Sequence, residues 1–307
     1  MTTAVHETTR RTHKVAIMNA VHDLPVLVAR DLGFFRDEGL DIEFVTTPGM
    51  AQVTTSHMVK FDSIFDRPLD SVYNDGGIDQ YRMCEWGIMK RAVEADRSGL
   101  RRRKIVALGA SMSKFALVVS RESGIYEPEQ LKDKVIAVTP NNGSHFTTLK
   151  MIEGFLTPEH VKTTNAGSMA KRLEALRQGQ VAAVSLMEPW ISVAQKQRFR
   201  ILSESHATRS EAASDEVDGP ALRAMFRAQA RAVEVLEKDP TPYVHYLTRE
   251  TGGLLEPHEF QAWRLLHAPP QPYTRERFED TYNWTVKWNM TVPGATYENT
   301  VDNRAWG

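Results

Sequence analysis

The single cysteine of this 307-residue chain, Cys84, stands in YRMCEWG (residues 81–87), flanked by Arg82, Glu85 and Trp86. Arginine presents a planar, permanently charged fork to a carboxylate, sulfinate or sulfonate. A glutamate beside it can hold or move a proton, and a thiol at a helix start gains thiolate character. The turn signal Asp75-Gly76-Gly77, an apolar run at 78–83 and a helical pattern at 85–95 place residues 82–86 at a strand end and a helix start. Just upstream, His57, Lys60 and Asp62 make this stretch dense in titratable groups. Cysteine is also among the most buried residue types, so packing competes with nucleophilic chemistry for Cys84. A structural ion pair competes in the same way for Arg82 and Glu85.

Three other places have the residue types of a binding or catalytic site. In 139–145, TPNNGSH, a strand ends and a helix begins, so unpaired backbone N–H groups and the positive end of a helix dipole meet at Asn141, Gly143, Ser144 and His145. Gly143 lets a ligand approach the backbone, while Ser144 and His145 add side-chain donors; the plainer role of Ser144 is a helix cap. Glu188, Pro189 and Trp190 follow a strand, and the indole can stack on a flat ligand or pack in the core. The turn at 19–23 brings Asn19, His22 and Asp23 together, with His22 a candidate proton donor or acceptor because its ordinary pKa is near neutrality. Ser111 completes the ligand-contact candidates. No Walker loop, GxGxxG, HExxH, CxxC or GxSxG occurs, and His245, His258 and His267 lack metal-ligand spacing, so no cofactor or metal is expected.

The elements that must position these residues alternate. Apolar strand-like runs lie at 14–20, 40–45, 104–110, 115–120, 134–140, 181–188 and 199–202, with helical patterns at 25–39, 144–155 and 168–178. This order predicts an α/β fold with parallel strands. From about residue 219 the pattern is helical only, and 204–218 is a polar, weakly patterned segment. Thirty-eight Lys and Arg against 39 Asp and Glu leave no global field for nucleic acid or a membrane surface. No apolar run approaches the ~20 residues that span a bilayer, and no secretory signal pattern is present at the start. A cytoplasmic protein is the expectation, with a homodimer possible at this size.

LPVLVARDLGFFRDEGLDIEFV (24–45), TPNNGSHFTTLKMIEGFL (139–156), the segment 172–202 and VEVLEKDPTPYVHYL (233–247) are similar to the successive motifs of type II periplasmic-binding-protein folds. The resemblance is to the sulfonate, nitrate and taurine carriers and the thiamine-pyrimidine synthase. It implies two α/β lobes joined by crossing strands, with a ligand clamped between them and a helical C-terminal extension packed back on the first lobe. The lobes would comprise 14–108 completed by 205–307, and 109–204. Residues 57–85 resemble, more distantly, the aromatic sulfinate desulfinases of the same fold, with His57, Arg82 and Glu85 matching that group's histidine, arginine and acidic residue. The nucleophilic cysteine of that group falls where this chain has residues 20–22, and the synthase's cysteine-rich motif is missing.

Two functions follow. The first is an intracellular, cofactor-independent lyase or hydrolase acting on a small anionic, possibly aromatic compound. In it His22 or His57 transfers the proton, Glu85 assists, Cys84 is a candidate nucleophile, Arg82 and the 141–145 helix start clamp the anion, and Trp86 or Trp190 stacks. The second is a solute-binding protein or sensor for a small anion. The titratable stretch favours the enzyme, which is the leading expectation.

Overall fold

Runs of β-branched and small apolar residues bounded by Gly, Pro and Asn form the strands, and amphipathic segments between them form the helices. A computed structural model of the chain describes residues 12–46, 68–290 and 293–307. In chain order the elements begin β1 (His13–Ala16), α1 (Ala20–Asp31), α2 (Phe34–Asp37), β2 (Ile42–Val45), α3 (Pro68–Asn74), β3 (Gln80–Cys84), α4 (Glu85–Ser98) and β4 (Lys104–Val119). There follow β5 (Val135–Val138), α5 (Gly143–Ile152), β6 (Lys162–Asn165), α6 (Met169–Arg177), β7 (Ala183–Met187), α7 (Trp190–Lys196) and β8 (Arg200–Ala213). The tail contains α8 (Gly219–Lys238), α9 (His245–Thr248), β9 (Leu266–His267), α10 (Arg275–Lys287) and α11 (Tyr297–Thr300).

Among the described residues the strands form one sheet in the order β2-β1-β3-β8-β4-β7-β5-β6, with β9 added on β4. β1 pairs parallel with β2 and β3, and β5 parallel with β6 and β7. Between these two parallel sets lie β4 and β8, 16 and 14 residues long, antiparallel from Lys104↔Ala213 to Val119↔Arg200. One end of this ribbon joins β3 and the other joins β7, so the two strands carry the chain between the lobes. Bulges between Leu108 and Met112 and at two other places let the ribbon turn. The fold is thus α/β, as the alternation predicts, and two-lobed, as the resemblance implies, while the antiparallel β4–β8 ribbon departs from the expectation of parallel strands.

Three local expectations differ. The runs at 104–110 and 115–120 are one strand, continuous through the bulges. The polar segment from 204 forms most of β8, because Arg209 and Glu211 find buried partners in the sheet instead of solvent. Within the tail that reads as helical from about residue 219, the stretch 256–268 forms 3₁₀ turns and β9, with Arg264 pulled inward by carboxylates. The long helix of the tail, α8, packs on α1 and α2, where Arg227 and Arg231 pair with Glu38 and Asp37. No helix among the described residues is long and apolar enough to cross a membrane.

Candidate functional site

A cavity of about 170 Å³ lies where the carboxyl ends of strands from both lobes meet. Its first-lobe wall is Met18, Asn19 and His22 at the start of α1, with Met83 from β3. The second-lobe wall is Thr139, Asn142 and Ser144 at the start of α5, Ser168, Met169 and Arg172 at the start of α6, and Glu188 and Trp190 after β7. Phe115 and Arg209 come from the crossing strands, and Glu250 from the tail. Ligand sites at strand ends of open α/β sheets follow from this topology.

Three helices begin at the cavity, and their N-caps line it. Asn19 accepts from the His22 amide (3.1 Å), Asn142 caps α5 through the Gly143 amide (2.5 Å), and Ser168 accepts from the Lys171 amide (3.2 Å). Asparagine and serine are favoured here because a short side-chain oxygen satisfies an amide that the helix cannot. The start of α1 is already occupied by carboxyl groups: Asp23 accepts from the Met18 and Asn19 amides (2.5 and 3.0 Å), and Glu250 from the Ala20 amide (2.6 Å). The starts of α5 and α6 have no such carboxylate among the described residues.

Two buried guanidinium groups stand at those starts. Arg209 donates from Nε to Ser113 (3.0 Å), lies 5.4 Å from the Phe115 ring centroid, and leaves Nη2 without a hydrogen-bond partner. A Cβ built on Gly143 would sit 3.4 Å from its Nη1 and 3.3 Å from the Phe115 ring, so the α5 backbone lies close against this cation. Arg172 donates to Gly167 O (3.2 Å), Ser185 O (2.8 Å) and the Thr139 hydroxyl. Burial holds Arg172 down at about 10 and lowers Arg209 too, yet both keep their charge at neutral pH.

His22 faces the same space. Its Nδ1 lies 2.8 Å from Asn19 Nδ2, and Nε2 has no partner. Because the Asn19 Oδ1 is used by the His22 amide, its Nδ2 donates to Nδ1, which assigns the ring proton to Nε2. Burial, then the charges of Arg209 and Arg82, lower this histidine well below its ordinary range, so the cavity wall holds a neutral imidazole with its Nε2–H enclosed and unpartnered. Burial pushes the Glu250 carboxyl up to about 7, partly opposed by the Ala20 amide.

The other predicted residues separate into wall and interior. Asn19, Ser144, Glu188 and Trp190 line the cavity. Ser144 Oγ accepts from the Thr139 amide (2.9 Å), and Glu188 is held by Ser192 (2.9 Å) and Arg264. Gly143 lies just behind, against Arg209 and Phe115. Arg82 does not reach the cavity: it pairs with Asp23 (2.7 Å), donates to Ala16 O (2.7 Å) and lies 3.7 Å from Glu211. Cys84 is buried at the end of β3, opposite Arg209 in the sheet register. Glu85 turns to the tail, accepting from Tyr273 and Arg277 (both 2.8 Å). Trp86 packs on Phe146 and Trp284, with centroids 5.0 and 5.9 Å away. Asp23 serves α1 and Arg82, and Ser111 donates to His22 O (2.8 Å). Asn141 is exposed with φ of 53°, and His145 stacks on Phe146, lowered to about 4 by burial. His57, Lys60 and Asp62 lie outside the described residues.

Arg209 and Arg172 are the residues that sequence reasoning missed. Arg209 sits in the polar segment 204–218, and Arg172 reads as an ordinary charge on an amphipathic helix. The available signal for Arg172 was its place one turn beyond a Ser N-cap, at a strand-to-helix junction.

No protein-family model matches the sequence, nor does any curated protein. Among solved structures, the alkanesulfonate-binding protein SsuA from Xanthomonas axonopodis pv. citri, bound to MOPS, is similar with a TM-score of 0.70 at 16% identity, over 94% of this chain and 97% of that one. The periplasmic aliphatic sulphonate-binding protein SsuA from Escherichia coli gives 0.69 at 17% identity, over 96% and 92%. The periplasmic nitrate-binding protein NrtA from Synechocystis PCC 6803 gives 0.69 at 13%, over 97% and 88%. These neighbours are binding proteins, and the expectation of a lyase or hydrolase is corrected on that ground. Of the catalytic residues in that expectation, His22 lines the cavity, while Arg82, Cys84 and Glu85 are turned to interior or tail partners. Over nearly its whole length, this chain has the type II periplasmic-binding-protein fold of the sulfonate- and nitrate-binding structures.

Proposed function

We propose that the protein is a solute-binding protein that takes a small anion into the cavity between its lobes. The observation that carries this reading is Arg209, a buried cation at the start of α5 with no partner for Nη2, which lines the same cavity as His22, whose Nε2–H is also unpartnered. A buried charge without a partner costs several kcal/mol, and an anion between a guanidinium, a neutral imidazole donor and a helix start would offset it. Trp190, Phe115 and the methionines Met18, Met83, Met169 and Met187 supply an adaptable apolar wall, which suits an anion attached to an organic body better than a bare inorganic one. The binding proteins for sulfonate and nitrate that share the fold support the anion class.

Isothermal titration with ethanesulfonate, benzenesulfonate, benzoate and nitrate tests the proposal. At least one organic anion is expected to bind with Kd below about 100 μM, and Arg209→Gln to weaken it by about 100-fold, or about 2.7 kcal/mol. An Arg209→Gln protein that is folded by circular dichroism yet binds as tightly as the parent overturns the reading.

A further inference from the structure

The cavity wall contains more positive charge than one monovalent anion would neutralise. Arg209 and Arg172 are 1% and 4% exposed, and among the described residues neither has a carboxylate within ion-pair distance. The other buried arginines each have a carboxylate within ion-pair distance: Arg82 has Asp23, Arg91 and Arg103 share Asp70, and Arg264 has Glu188 and Glu204. Elsewhere among the described residues, then, a buried guanidinium group has a carboxylate beside it. Of the two acids in the cavity wall, Glu188 is already matched by Arg264, and Glu250 is matched to the α1 amide end.

The two unmatched cations also occupy separate poles. Arg209 lies against the first turn of α5 with the His22 Nε2–H, while Arg172 sits one turn into α6 and folds back over its start to Gly167 O. Each pole combines a helix of nine residues or more, beginning at the cavity, with a guanidinium group. Thr139 connects them: its hydroxyl accepts from Arg172 and its amide donates to Ser144 Oγ at the start of α5. Both poles line the one cavity.

We propose that the ligand is an organic dianion, with one anionic group held by Arg209, His22 and the start of α5, and the second by Arg172 at the start of α6. This rests on the anion reading above and adds the charge of the ligand to it. A monoanion would leave one guanidinium buried without a counter-charge, whereas a dianion with two acid groups a few bonds apart supplies one to each.

The test compares matched probes differing by one acid group, benzoate with phthalate and butyrate with succinate, by isothermal titration at pH 7. In at least one pair the dianion is expected to bind at least about tenfold tighter than its monoanion. Arg172→Gln, checked for folding by circular dichroism, is expected to bring that ratio down to about one. Equal or weaker binding of the dianion in both pairs overturns the inference and leaves the anion site standing. A ratio kept by a folded Arg172→Gln also overturns it. Silence from all four probes overturns the dianion inference, while the anion reading stands or falls with the sulfonate and nitrate titrations above.

Discussion

At the scale of single residues, the site is a matter of which charges are matched. Arg82 is, and the consequence is structural: Arg82→Met would leave Asp23 and Glu211 buried without their cation, a loss of about 3–5 kcal/mol. Urea unfolding measures it, and a cost under about 1 kcal/mol would contradict the pairing. Glu250 has the opposite character. Its folded pKa of about 7 lies above its unfolded value, so its contribution to stability is fully present below about pH 4.5 and is lost as pH rises through 7. His22 and His145, lowered by burial, work the other way: they favour the folded state above pH 6.5 and cost stability as pH falls below it. As Glu250 ionises, a negative charge appears in the cavity wall, so anion affinity is expected to fall between pH 6 and 8. Glu250→Gln should flatten that fall, and an unchanged pH profile would remove Glu250 from the site's electrostatics.

Elements explain why the sequence disclosed the fold more readily than the site. Strand-to-helix junctions are legible because caps, glycines and apolar runs are local, and the starts of α5 and α6 were read within one or two residues from 139–145 and 168–178. Which arginine stands at such a junction is not local. Arg209 arrives from β8, some sixty residues beyond the α5 start that it faces, through a sheet register that no periodicity encodes. Arg82 and Glu85 misled for the same reason, since their partners Asp23, Glu211, Tyr273 and Arg277 are distant in the chain. The approach of α5 to Arg209 can be tested at Gly143, where a Cβ would meet Phe115 at 3.3 Å and the guanidinium at 3.4 and 3.5 Å. Gly143→Ala is expected to change stability by less than about 1 kcal/mol while weakening anion binding by about tenfold. An unaltered affinity would mean that the backbone does not need this closeness.

For the whole molecule, the β4–β8 ribbon and the tail both bridge the lobes. The ribbon joins β3 to β7, and the tail reaches from α8, packed on α1, to the second lobe through Arg264 with Glu188 and Glu204 and through Lys196 with Glu259. Removing Arg264 unties Glu188 at the cavity edge as well as the bridge. Arg264→Ala should raise amide hydrogen exchange around 188–192 and 262–267 together; a rise in one segment alone would separate the two effects. The buried position of Cys84 has a practical side as well. With its sulfur wholly enclosed, the native protein offers no competing target to maleimide reagents. A cysteine introduced at Leu32 on one lobe and another at Tyr126 on the other, both exposed positions, could then take a donor and an acceptor dye. Energy transfer between them would follow any opening and closing of the two halves as solute comes and goes.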